Sequence, residues 1–194
     1  AIKWYERAAE QGVTLAQYNL GVIYEKGTGV QKNYKIAVKW YTSAAQKGNA
    51  NAQNNLGVMY MRGLGVEQNY KTVAMWLKLA ARQGKASAQF NLGKLYYKGL
   101  GLSQNKEAAV KWYKRAAEQG VPVAQFNLGW MHKRGHGTPK AFPLAHMWWS
   151  IAEKSGYKEA TLNRKEIERI MSPAQLEKAQ TLALECLAKN YKRC

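Results

Sequence analysis

The sequence predicts an all-α solenoid of antiparallel helix pairs, and three observations predict it. A tryptophan returns every 36 residues, at Trp4, Trp40, Trp76, Trp112 and Trp148. Glycine keeps the same step at Gly12, Gly48, Gly84, Gly120 and Gly156, and alanine at Ala16, Ala52, Ala88, Ala124 and Ala160. A fixed period between about 20 and 50 residues marks stacked repeats, each burying its apolar face only against its neighbours. On this reading the residues that keep the step, tryptophans included, are packing residues.

The elements follow in order. Residues 1–13 read as the second helix of a unit, so the array begins part-way through a repeat, as a processed or trimmed piece of a longer chain would. Complete repeats cover 14–49, 50–85, 86–121 and 122–157. In the first of them Ala16, Leu20, Ile23 and Tyr24 share one face of a helix, the spacing an amphipathic helix requires. Gly27 stops that helix and Gly29 belongs to the turn after it. Asn33 stands where the second helix needs an N-cap, and Asn69 and Asn105 repeat the role; an asparagine oxygen there accepts from an otherwise unpaired amide. The second helix carries Ala37, Trp40, Tyr41, Ala44 and Ala45 on one stripe and ends near Gly48. Gly21, Gly57, Gly93 and Gly129 lie inside first helices, where each costs about 1 kcal/mol against alanine. Their recurrence implies a close approach that no side chain permits.

Residues 158–171 form a degenerate repeat that keeps Ala160 and Asn163, loses the turn glycines and has Arg164 in the column of Leu20. The repeat array therefore spans 1–171, and residues 172–194 hold a C-terminal capping helix and tail. Ser172-Pro173-Ala174-Gln175 reads as a capping box. The helix it opens, about 173–189, places Leu176, Ala179, Leu182, Ala183 and Cys186 on the face that covers the last repeat.

The run A-Q-x-N-L-G-x-x-Y-x-x-G-x-G-V, then K-x-A-x-x-W-Y-x-x-A-A-x-x-G, resembles the Sel-1-like repeat, a relative of the tetratricopeptide repeat, over residues 1 to about 165. That family commonly has Asp before the second helix; Asn33, Asn69 and Asn105 stand there instead and serve equally as caps. The resemblance implies a right-handed superhelical solenoid and a binding or scaffolding role, often in bacterial envelope, secretion or signalling assemblies. It brings no catalytic residues and names no partner.

Composition narrows the function classes. Thirty Lys and Arg against 12 acids give a net charge of +18, which favours anionic partners and says little about fold. Every acid is Glu, so Ser-His-Asp triads, Asp dyads and EF-hand loops are excluded. No nucleophile and base are spaced for catalysis, and no phosphate loop appears, so a non-enzyme without cofactor or small-molecule substrate is expected. The histidines are His132, His136 and His146; Gly135 and Gly137 interrupt the helix that would align the first two, and no acid or cysteine lies close in sequence to complete a ligand set; no metal site is expected. No apolar run reaches the roughly 18 residues of a membrane span. Cys186 and Cys194, eight apart, pair in an exported protein and stay free in a reducing cytosol. The expected clasp and the incomplete first unit point to a periplasmic or otherwise exported protein, with the cytoplasm as alternative.

The candidate binding residues lie on the inner face, where repeat proteins bind partners. If Ala16, Leu20 and Tyr24 face the core, Tyr18, Val22 and Glu25 face inward, with equivalents Asn54, Val58 and Met61; Phe90, Lys94 and Tyr97; and Phe126, Trp130 and Lys133. Aromatic side chains are enriched at binding hot spots. Phe90 and Phe126 occupy a column that is aromatic in three of four copies, which packing between repeats also explains. Trp130 and Tyr97 break their columns and are the sharper candidates; Lys94, Lys133 and Met61 complete the set. Lys26, Arg62, Lys98 and Arg134 each precede a turn glycine, where a cation complements the helix dipole or steers an acidic partner. The expected function is a scaffold or adaptor holding an acidic protein in its groove, as an immunity or inhibitor protein for a secreted effector or as an envelope assembly factor. The charge supplies the alternative, a nucleic-acid or anionic-surface binder, although no basic tract or RNA-binding motif accompanies it.

Overall fold

The structure, a computed structural model, describes residues 2–194. All eleven elements among them are α-helices: α1 (Ile2–Glu10), α2 (Thr14–Lys26), α3 (Tyr34–Gln46), α4 (Ala50–Arg62), α5 (Tyr70–Arg82), α6 (Ala86–Lys98), α7 (Lys106–Ala117), α8 (Pro122–Arg134), α9 (Phe142–Lys154), α10 (Glu159–Glu168) and α11 (Pro173–Ala188). They form two compact units, the first from residues up to 88 and 99–103, the second from 89–98 and 104–194.

In the first unit each helix from α1 to α5 packs on the next. Asn33 and Asn69 cap α3 and α5, accepting from the Ile36 and Thr72 amides at 3.1 and 3.0 Å. The core contains Ala37, Tyr41, Ala44, Ala52, Leu56 and Met59, all fully buried. Gly21 of α2 lies directly under the ring of Tyr41, and a Cβ at Gly57 of α4 would come within 3.0 Å of Leu77. The helix-interior glycines thus answer to one column of large side chains on the following helix. Gly65, at φ +71°, sits against the start of α3, where an added Cβ would lie 2.5 Å from the Tyr34 carbonyl carbon. The turn after one repeat's first helix therefore rests on the second helix of the repeat before, as only a residue without Cβ allows.

A buried glutamine column, which the sequence reading passed over, adds polar rungs. Gln17 and Gln53 donate to the Ala9 and Ala45 carbonyls, both at 3.1 Å, and Gln125 to Ala117 at 3.2 Å. Gln83 donates to Gln53, and Gln119 to Gln89, both at 2.8 Å. Where that second column carries Lys47 and Ser155 instead of glutamine, the Oε1 atoms of Gln17 and Gln125 accept no bond among the described residues.

In the second unit α10 and α11 both pack on α9. Asn105 caps α7 through the Ala108 amide at 2.7 Å, and Ser172 with Gln175 forms the complete capping box of α11. Helix α11 packs on α9 through Ala179, Ala183 and Cys186. Cys186 is bonded to Cys194, their Cα atoms 5.3 Å apart. The bond folds the tail back: Tyr191 packs beside Gly120, and Lys114 Nζ donates to the Cys194 carbonyl at 3.2 Å. Helix α10 is tied to α9 by charge. Arg164 Nε donates to Glu153 at 2.7 Å and its Nη1 to Glu168, while His146, only 3 % exposed, bonds Glu168 through Nε2 at 2.8 Å. The Arg164 hydrogen bond holds the Glu153 carboxyl below the usual range. At Glu168 burial pushes upward, but the bonds from His146 and Arg164 outweigh it and the net shift is downward.

The tryptophan comb is not the core column. Trp4 is 73 % exposed, and Trp40, Trp76 and Trp112 are half-buried; only Trp148, under α11, is enclosed. The buried column is the next residue along, Tyr41, Leu77, Tyr113 and Trp149. One residue rotates a helical side chain by about 100°, which puts the comb at the rim of the apolar stripe. There Lys39 sits over Trp40 at 5.7 Å and Arg115 over Trp112 at 4.6 Å.

Candidate partner-binding cleft

The buried tyrosine column meets two different surroundings. In the first unit the Tyr41 hydroxyl donates to Glu25 Oε2 at 2.5 Å and accepts from Asn55 Nδ2 at 3.1 Å. Burial, reinforced by the Glu25 bond, drives its pKa far above the ordinary tyrosine value. In the second unit the same columns hold Tyr97, Tyr113 and Asn127. Tyr97 has replaced the carboxylate, and Asn127 turns to the Val123 carbonyl at 2.8 Å. The Tyr113 hydroxyl has no hydrogen-bond partner among the described residues, and burial raises its pKa.

A cleft of about 250 Å³ opens there, lined by Tyr97, Tyr113, Phe126, Asn127, Trp130 and Met131. Pockets that enclose drug-sized ligands start near 300 Å³, so this space suits one large apolar side chain. Its rim carries polar groups. The Tyr97 hydroxyl lies 3.3 Å from His136 Nδ1, and the Arg134 guanidinium covers the Trp130 ring at 4.6 Å. An apolar slot with an unpaired hydroxyl inside and a cation at its edge can hold an anchor residue from an acidic chain.

Of the residues singled out from sequence, Trp130, Tyr97 and Phe126 line the cleft. Phe126 also packs against Tyr157, ring centroids 5.0 Å apart. Phe90 stacks on Tyr113 at 5.7 Å, supporting the cleft wall from outside. Lys94 is exposed. Lys133 is bound to Glu166 at 2.8 Å with its side chain 18 % exposed, so it ties α8 to α10. Met61 belongs to the first unit, its carbonyl accepting from Gln68 at 2.6 Å. Sequence reasoning missed Tyr113, Asn127 and His136. The signal for Tyr113 was present, since it follows the comb residue Trp112 as Tyr41 follows Trp40. No cluster of three metal-ligating side chains occurs among the described residues, and none of their helices is long and apolar enough to cross a membrane.

The Sel1 repeat model matches residues 1–13, 14–49, 50–85, 86–121 and 122–157. The chain belongs to the Sel1 repeat family. Sel1 repeats generally mediate protein–protein interaction. Among solved Sel1-type structures, a protective antigen of uropathogenic Escherichia coli displaying an SLR fold is 36% identical, with a TM-score of 0.89; the match covers 99% of this chain and 42% of the antigen. The chain thus spans less than half of that relative. A Sel1 repeat protein from Oxalobacter formigenes is 33% identical at a TM-score of 0.78, over 94% of this chain and 75% of its own. An immunity protein from Pseudomonas aeruginosa shares the fold, with a TM-score of 0.53 at 21% identity over 98% of this chain and 72% of its own. No curated protein sequence is significantly similar to this Sel1 chain.

Proposed function

We propose that this Sel1 chain is a non-enzymatic binding module that holds an acidic protein partner by one apolar anchor in the cleft of the second unit. The observation that carries the reading is the change at Tyr113: the carboxylate that satisfies Tyr41 is replaced by Tyr97, leaving an aromatic slot with an unpaired hydroxyl. The anchor's neighbours meet Arg134 on the rim, and the net charge of +18 speeds encounter with an acidic surface. An immunity or inhibitor role against a secreted effector fits this mode, as does envelope assembly. The fold likeness to immunity proteins supports the first, and the Cys186–Cys194 bond suits an exported setting.

The test is affinity capture from envelope extract with the wild-type chain and Trp130→Ala in parallel, followed by titration of the recovered partner. A stoichiometric acidic protein that the variant fails to retain is the expected result. A partner held equally by both, or binding only to random duplex DNA with a steep salt dependence, overturns the reading.

A further inference from the structure

The columns that end up under α11 recur, uncovered, on α5. Helix α11 covers Met147 and Ile151 of α9, which are 1 % and 0 % exposed. The same two columns hold Lys39 and Ser43 in α3, and Lys111 and Arg115 in α7, as befits faces that meet water. In α5 they are apolar again, Met75 and Leu79, yet 48 % and 39 % exposed. A concavity of about 350 Å³ surrounds them, lined also by Lys71, Lys78, Arg82 and Gly101. Helix α5 contains no acidic residue.

We infer that α5 is a second docking surface, built to receive an acidic amphipathic helix from a partner protein as α9 receives α11. The apolar pair supplies the anchor. Met75 and Leu79 are one turn apart, so a partner helix with small or apolar residues three and four apart can lie along them as Ala179, Ala183 and Cys186 lie on α9. The cations set the sign of the partner. Lys71 and Arg82 stand about 16 Å apart along the axis and meet carboxylates at either end of the docked helix. A second copy of this chain is disfavoured by its charge of +18. The concavity suits a helix better than a flat bilayer, and its apolar centre, unlike the flanking cations, adds nothing to the binding of nucleic-acid phosphates. This inference is independent of the cleft: its residues lie on α5 and in the Gly99–Ser103 turn after α6, all in the first unit.

The experiment uses the whole chain and a labelled synthetic 16-residue peptide, the length of α11, with that helix's apolar face and glutamate on its other faces. Phosphatidylglycerol vesicles and random duplex DNA serve as competitors. Saturable peptide binding is expected. Met75→Lys with Leu79→Arg, which installs the α7 residues, weakens it at least about tenfold without moving the melting temperature. Lys71→Gln with Arg82→Gln weakens it by roughly three- to tenfold, and Trp130→Ala leaves it unchanged. The inference is overturned by affinity that survives the Met75/Leu79 exchange. It is equally overturned by no saturable peptide binding, or by vesicles or DNA binding where the peptide does not. Each of these failures leaves the reading of the cleft intact, because that reading stands on Trp130.

Discussion

Tyr41 and Tyr113 occupy the same column of the repeat, and both are buried over a helix glycine, Gly21 and Gly93. Around Tyr41 the repeat is closed by polar chemistry: Glu25 accepts and Asn55 donates. Around Tyr113 the carboxylate is gone, Val58 has become Trp130, Asn54 has become Phe126, and a cleft remains. Two copies of one fold unit thus differ in whether the tyrosine hydroxyl is bonded within the repeat or faces an open cleft. A repeat position bonded internally in one copy is open as an apolar-walled cleft in the other, and the proposed binding role rests on that difference.

The largest expected effect separates packing aromatics from cleft aromatics. Trp149→Ala, at a fully buried site over Gly129, is expected to cost about 3–5 kcal/mol in denaturant unfolding. Trp130→Ala should stay below about 1 kcal/mol, in the range of substitutions away from the core, while weakening partner binding. Equal losses would break the distinction. Next, Tyr41→Phe strands Glu25 and Asn55 and should destabilise by roughly 1–2 kcal/mol, whereas Tyr113→Phe should be close to neutral; unfolding midpoints of the pair read the comparison directly. Third, Tyr97→Glu restores the residue of the first unit and gives Tyr113 an acceptor. It should keep or raise stability while lowering partner affinity about tenfold, which is roughly 1.4 kcal/mol.

The smallest effect is in pH. Burial holds the His132 pKa below its ordinary value, with Lys114 adding to the shift and a bond at Pro139 opposing it. The unfolded chain then takes a proton that the folded state refuses. This contribution to stability is complete above the unfolded pKa, near 6.5, and fades as pH falls from there toward the folded value. His132→Tyr, which restores the residue found at Tyr24, Tyr60 and Tyr96, should flatten that slope relative to wild type. Parallel melting curves between pH 7 and 5 that show identical slopes would remove His132 as its source.

Local features were legible because their physics lies within a few residues. The caps at Asn33, Asn69, Asn105 and Ser172 read correctly, as a side-chain oxygen needs only the amide three residues on. The helix-interior glycines announced a close contact, though not with which atom. The comb misled by one position: periodicity reports that Trp40 and Tyr41 both recur in register, but the angle at which α3 meets α2 selects which of them is enclosed. The glutamine column, invariant at Gln17, Gln53, Gln89 and Gln125, was overlooked because a polar residue on a helix usually faces water.

The sequence by itself determined the period, the helix pairs, their caps and the family, since each follows from contacts that repeat with the chain. The tertiary structure decided what depends on residues from different elements meeting: the burial of His146 against Glu168, the tail folded onto Gly120 through Cys186 and Cys194, and the cleft at Tyr113. The physical reason is that a column fixes where a side chain starts. Whether its polar atom finds a partner or its surface a cover is settled by the neighbouring helix.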